Sequence, residues 1–149
     1  MPPTARRRSH RPASAGLLAR RVALLALFED DFQPGNATIA LERLATEREL
    51  PDDVRAHAAA IVAGVGARQA ELDARIAAEA PLIPVAELGR VERAILRSAI
   101  YEVLYSAANP SGETMRDAVS LARIYAGDAA RRLVNGVLGS VSRSSGGGA

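Results

Sequence analysis

Guanidinium is the only strongly basic group in this chain: it has 19 Arg, two His and no Lys. Each guanidinium is a permanent cation whose planar fork fits phosphate and whose flat face can lie on a base. Six of them, Arg6, Arg7, Arg8, Arg11, Arg20 and Arg21, fall within residues 1–21, where there is no acid. The other thirteen face seventeen Asp and Glu, so a +6 start precedes a body of about −4. A basic arm on a mildly acidic body points to nucleic acid or an anionic surface. The plainer reading is a disordered tail kept soluble by charge. Other chemistry is scarce. Without cysteine there is no disulfide, no Cys-ligated zinc site and no thiol nucleophile. His10 and His57 have no carboxylate or serine at a catalytic spacing, and two scattered histidines do not suggest a metal site. Glu29, Asp30 and Asp31 are consecutive and must splay around a helix end. No Gly-rich phosphate loop, H-E-x-x-H or nucleophile elbow occurs. The residues therefore predict no catalytic group, no metal and no cofactor: a binding protein, not an enzyme.

The elements that must carry these arginines read as helices throughout. Apolar residues make up 48% of the chain but aromatics only 3%, and the excess is Ala, Leu and Val. That composition suits helix packed on helix, and no stretch alternates with the period of a strand. With 149 residues the chain is one domain able to bury a real core. Residues 1–16, rich in Pro, Arg and Ser, read as a disordered arm, and 143–149 as a flexible tail, leaving 17–142 as the folded unit. Within it the pattern predicts a helix from Leu17 to Phe32, closed by Gln33-Pro34-Gly35. A second runs from Ala37 to Glu49 with Asn36 as its N-cap, and a third from Pro51-Asp52-Asp53 to Ala80, with Gly64 and Gly66 as kink, break or close-packing points. Pro81 and Pro84 impose a connector with one short helical turn. A helix from Gly89 to Ala107 follows, then Glu113 to Tyr125, a stop at Gly127, and a last helix from Ala129 to Ser142 capped by Asp128.

The helix beginning at Gly89 has apolar residues on two faces. Leu88, Val91, Ile95 and Ala99 form one stripe; Leu96, Ile100, Val103 and Leu104 form another, so it belongs at the centre of the domain. Arg90, Arg93 and Arg97 share an edge beside Glu92. Tyr101 and Tyr105 read as core residues with hydroxyls at the rim. Asn135-Gly136 would signal a hairpin in isolation, but Val134, Val137, Leu138 and Val141 surround it at helical spacing. Gly136 then reads as a close-packing point and Asn135 as the partner of a buried backbone group, the alternative being that Asn135 touches a ligand.

LGRVERAILRSAIYEVLY (Leu88–Tyr105) followed by LVNGVLGSV (Leu133–Val141) resembles the NusB family of bacterial antitermination factors, as does ARRVALLALFEDDF (Ala19–Phe32) in the first helix. The resemblance implies an all-α fold of about six to seven helices in two small packed subdomains. It implies binding of boxA-type single-stranded RNA in ribosomal RNA leaders, together with NusE, a small-subunit ribosomal protein, within the RNA polymerase antitermination complex. By position it assigns RNA contacts to Arg20 and to Arg132 and Leu133, and a partner contact to Glu92. Arg21 and Arg131 join the RNA-binding set on charge alone, as do Arg6, Arg7, Arg8 and Arg11 of the arm. The chain departs from the pattern at several points. Gly16-Leu17-Leu18 stands in place of an arginine run, Leu133 in place of Phe, Ala129 in place of an acid, and Arg116-Asp117-Ala118 in place of N-E-A.

Arg20-Arg21 ahead of VALLALF imitates a twin-arginine signal, and the acid-free start imitates a transit peptide. The seven-residue apolar run is too short, is followed at once by acids, and continues a helical stripe, so the reading is cytoplasmic with no membrane segment. Two other functions fit the same scaffold: a protein-interaction module with weakened RNA binding, and a detached domain associated with an rRNA methyltransferase. A helix-turn-helix DNA binder fits less well, because the bases lie in a Pro-rich arm. A homodimer stays open, since an apolar surface for self-association reads like one for a partner.

Overall fold

The computed structural model describes residues 14–106 and 111–146, and these form six α-helices and one 3-10 turn with no strand. In chain order they are α1 (Ala15–Phe32), α2 (Ala37–Glu47), α3 (Asp52–Glu79), the 3-10 turn (Val85–Glu87), α4 (Arg90–Tyr105), α5 (Ser111–Ala126) and α6 (Asp128–Gly146). The expected all-α architecture is present. Its boundaries differ by a few residues: α1 and α5 start two residues early, and α6 runs four past Ser142. Arg6, Arg7, Arg8, Arg11 and His10 lie outside the described residues.

The helices form two triplets, α1–α3 and α4–α6, joined by one continuous apolar core. α4 is the axis of the fold, packing against α1, α3, α5 and α6. Ala94, Ile95, Leu96, Ala99 and Ile100 of α4 are all buried, as the double stripe requires. From α6 come Val134, Leu138 and Val141, at the i, i+4, i+7 spacing that marks one inward face. Half of the buried residues of α1 are alanines, and Ala19, Ala23 and Ala26 are fully covered, letting neighbouring helices approach closely.

Local chemistry fixes the corners. Ser14 accepts a hydrogen bond from the Leu17 amide at 3.1 Å and starts α1. At the α1–α2 turn, Gly35 takes φ +91°, a region open to glycine. Asn36 occupies the N-cap position of α2 but makes no side-chain capping bond. Asp30 does that work instead: one carboxylate oxygen accepts from the amides of Gly35, Asn36 and Ala37 at 2.8, 2.9 and 3.1 Å. Gly127, φ +94°, separates α5 from α6 and donates its amide to the carbonyls of Ala122 and Arg123. Asp128 is the first residue of α6 and not its cap; the carbonyl of Gly127 accepts the first bond, from Arg131.

In α3 neither expected glycine makes the kink, which falls at Arg68 (φ −125°, ψ 21°). Gly64 is a close-packing point, because the Tyr101 ring lies where a β-carbon would stand. Gly66 has open space around it. No helix among the described residues is long and apolar enough to cross a membrane.

Candidate nucleic-acid interface

The first sequence-assigned contact, Arg20, does not lie on a surface. It is 5% exposed on the inner side of α1, and its guanidinium is enclosed by acids from two other helices. Nε donates to Glu102 of α4 at 2.8 Å; Nη1 donates to Asp117 at 2.7 Å and Glu113 at 3.2 Å, both on α5. Nη2 donates to the Thr114 hydroxyl at 3.1 Å. Glu102, 2% exposed, is also 2.8 Å from Nε2 of His57 on α3, so one carboxylate ties three helices together. Burial alone would lower the Arg20 pKa, but the bonds to Glu102, Asp117 and Glu113 outweigh it and hold the group above its ordinary value. Burial likewise pushes Glu102 up, and His57 and Arg20 more than reverse this, leaving it below the usual carboxylate range. With every strong donor engaged and water excluded, Arg20 holds the scaffold and is withdrawn from the RNA-binding set.

Helical spacing alone carries the signal for this burial. Arg20 lies one turn before Leu24 and beside Ala19 and Ala23, on the apolar face of α1. Its acids are harder to find, since Glu102, Glu113 and Asp117 lie 82 to 97 residues away. Gly16 explains one departure from the family pattern: a β-carbon there would come within 2.7 Å of Arg20 Nη1 and 2.5 Å of a Glu113 oxygen. Next to Arg20, Arg21 is half-buried, makes no ion pair among the described residues, and leaves its covered Nε without a partner.

The second assigned group sits at the start of α6. Arg132 is 65% exposed in its side chain and Arg131 35%, and Asp128, one turn back, holds both. Nε of Arg131 donates to Asp128 at 2.8 Å, and Nη1 of Arg132 donates to the other carboxylate oxygen. The bond from Arg131, then the charges of both arginines, draw the exposed Asp128 below its ordinary pKa. The same Asp128 bond raises Arg131. These bonds are local and wet, so phosphate can displace them at little cost. Leu133 is half-buried and packs against the core. The helical reading of Asn135-Gly136 holds, but its packing role is overturned: both residues are exposed, and apart from the backbone of α6 itself no described atom comes within 4 Å of where a β-carbon on Gly136 would stand. Asn135 thus follows Arg131 and Arg132 on the open side of α6. The structure therefore brings Arg131 and Arg132 together, and none of the Arg20 bonds reaches them.

Glu92 lies half-buried in the first turn of α4, its carboxylate folded back over Gly89, with no ion pair among the described residues. The arginines sharing its edge are paired in place, three cations on two carboxylates. Asp31 accepts from Arg90 at 2.7 Å and Arg93 at 2.8 Å, and Asp73 takes a two-point bond from Arg97 at 2.7 and 2.9 Å. No group of His, Cys, Asp and Glu among the described residues could hold a metal.

Comparison with known proteins decides what this framework is. The NusB family model matches residues 17–143. The chain belongs to the NusB family. A relative from Herpetosiphon aurantiacus, a transcription antitermination protein NusB, is 36% identical over 125 residues, covering 82% of this chain and 86% of the relative. One from Dehalococcoides mccartyi with the same description is 32% identical over 126 residues, 85% and 88% of the two chains. Among solved structures, NusB in a complex of the antitermination factors NusB and NusE with double-stranded RNA superposes with TM-score 0.80. It is 25% identical, with 89% of this chain and 99% of that one covered. A Thermotoga maritima (T. maritima) NusB structure gives TM-score 0.81 at 22% identity, a likeness of fold. Membership in the NusB family places the chain among transcription antitermination factors and outside the enzymes.

Proposed function

We propose that this chain acts in transcription antitermination by binding boxA-type single-stranded RNA of ribosomal RNA leaders together with a NusE-type ribosomal protein, helping RNA polymerase read through terminators. The observation that carries the reading is the Arg131–Arg132 pair at the head of α6, one half-exposed and one exposed, whose guanidiniums are held among the described residues by a single solvent-facing carboxylate. Arg21 and the arm arginines Arg6, Arg7, Arg8 and Arg11 add cationic charge, and Asn135 adds a neutral hydrogen-bonding group on the open side of α6. Sequence-selective RNA recognition favours single strands, whose bases are free to be stacked and read at their edges. Glu92 is the partner contact in this reading, on a face whose arginines are already ion-paired.

An electrophoretic titration with leader RNA, as single strand and as duplex, with and without the ribosomal protein, tests this. Salt-sensitive retention of the single strand, tightened by the protein, is the expected result; indifference to both ligands rejects it. The half-buried Leu133, which offers no ring, favours one alternative, a protein-interaction module with weakened RNA binding. That alternative predicts capture of the ribosomal protein without retention of RNA.

A further inference from the structure

The chain has five aromatic side chains, all within the described residues, and four are already engaged. Phe28 and Phe32 meet edge to face at 5.2 Å, with the Arg90 guanidinium 4.3 Å from the Phe32 ring centre. Tyr101 and Tyr105 stack at 6.2 Å, Arg68 covers Tyr105 at 4.1 Å, and the Tyr105 hydroxyl lies 3.1 Å from Glu71. Tyr125 is different. It has no ring neighbour, cation or hydrogen-bond partner among the described residues, and it is 40% exposed.

Its place in the fold follows from the helix repeat. Thr114, Ala118, Leu121 and Ala122 form the buried stripe of α5, and Tyr125 continues that stripe by one turn beyond the covered part. Ile124 beside it is 53% exposed. Apolar surface has thus been carried to the α5–α6 corner and left open. Gly127 then turns the chain, and Asp128, Arg131 and Arg132 follow within seven residues of Tyr125. Elsewhere the pattern is reversed: Arg90 lies over the Phe32 ring, but Asp31 already holds it.

A ring that no described residue engages, seven residues or fewer before displaceable guanidiniums across a tight turn, offers what an unstacked nucleotide needs, a flat surface for the base and cations for its phosphates. We infer that Tyr125 is the base-stacking platform of this chain, taking one unpaired RNA base at the α5–α6 corner while Arg131 and Arg132 hold the adjoining phosphates. The inference rests on the RNA-binding reading above and assigns to Tyr125 the flat surface that Leu133 cannot supply.

The test uses the full chain and a short single-stranded leader RNA carrying 2-aminopurine, whose fluorescence falls when it stacks. Tyr125→Ala and Tyr125→Leu are expected to weaken binding about 5- to 100-fold and abolish the quenching, with the salt slope unchanged because every phosphate keeps its cation. Tyr125→Phe keeps both affinity and quenching. The Leu variant preserves the apolar character, and a thermal melt matching wild type separates its loss of affinity from unfolding. Wild-type affinity in Tyr125→Leu, beside weakened binding in Arg131→Ala/Arg132→Ala, overturns the stacking role and leaves the RNA-binding reading standing. Wild-type affinity in all of them overturns both. Loss of ribosomal-protein affinity with RNA affinity intact also overturns the inference, and makes the corner a protein-docking face.

Discussion

Arg20 and Arg132 each meet carboxylates, yet the two sites do opposite work. Around Arg20 water is excluded, three acids converge from two helices, and the cation cannot leave without stranding Glu102 and Asp117. Around Arg132 the acid is a neighbour on the same helix, 59% exposed, and solvent can replace it at any moment. The contrast shows that an arginine becomes a ligand-binding group through the weakness of its present bonds, not through its charge. A buried network specifies how α1, α3, α4 and α5 meet, while an exposed pair is available for exchange with phosphate.

The comparison is broken most forcefully at the buried site. Arg20→Met leaves paired acids without their cation and should cost about 3–5 kcal/mol. For a chain of this size that lowers the thermal midpoint by roughly 10 °C or more. A melt within a degree or two of wild type would show that the network contributes little. Next in size is the acid limb of stability. Because Glu102 titrates below its ordinary value of 4.5 in the folded chain, its contribution is complete above that pH and is lost as the pH falls through the lower folded value. Denaturant melts from pH 6 downward should therefore show a loss below about pH 4.5 that is smaller in Arg20→Met. Identical pH profiles for the two proteins would remove Glu102 from the explanation.

The exposed face answers to gentler changes. Glu92→Arg should weaken binding of the ribosomal protein about tenfold by placing like charges together, without moving the melt; unchanged pull-down refutes the assignment. Smallest is Asp128→Asn, which frees Arg131 and Arg132 from their local anion. RNA affinity should rise a few-fold with no loss of stability, since exposed pairs of this kind contribute at most about 1 kcal/mol. A fall in affinity would mean that Asp128 positions the arginines more than it competes for them.

Much of this is readable in the residue order. The two stripes of α4 place it at the axis, and Gly35 and Gly127 stop helices where positive φ is required. Arg131 and Arg132 fall on the expected helix, the first half-exposed and the second exposed. What escapes is whatever depends on facing direction or distant partners. Charge groups Arg20 with its basic neighbours, although its spacing from Leu24 puts it on the buried face. Asn135-Gly136 reads as a packing device because valines surround it, yet those valines occupy the other side of α6. Asp30 as the cap of α2 and Asp128 as a clamp on two arginines are choices among adjacent acids that only the turn geometry makes.

The division between a structural and a ligand-binding arginine set is tested most directly by the salt dependence of leader-RNA binding in Arg131→Ala/Arg132→Ala. Binding should weaken and the log–log slope become shallower by about one for each phosphate left without its guanidinium, with a wild-type melting curve. An unchanged slope and affinity in that folded double variant would contradict it.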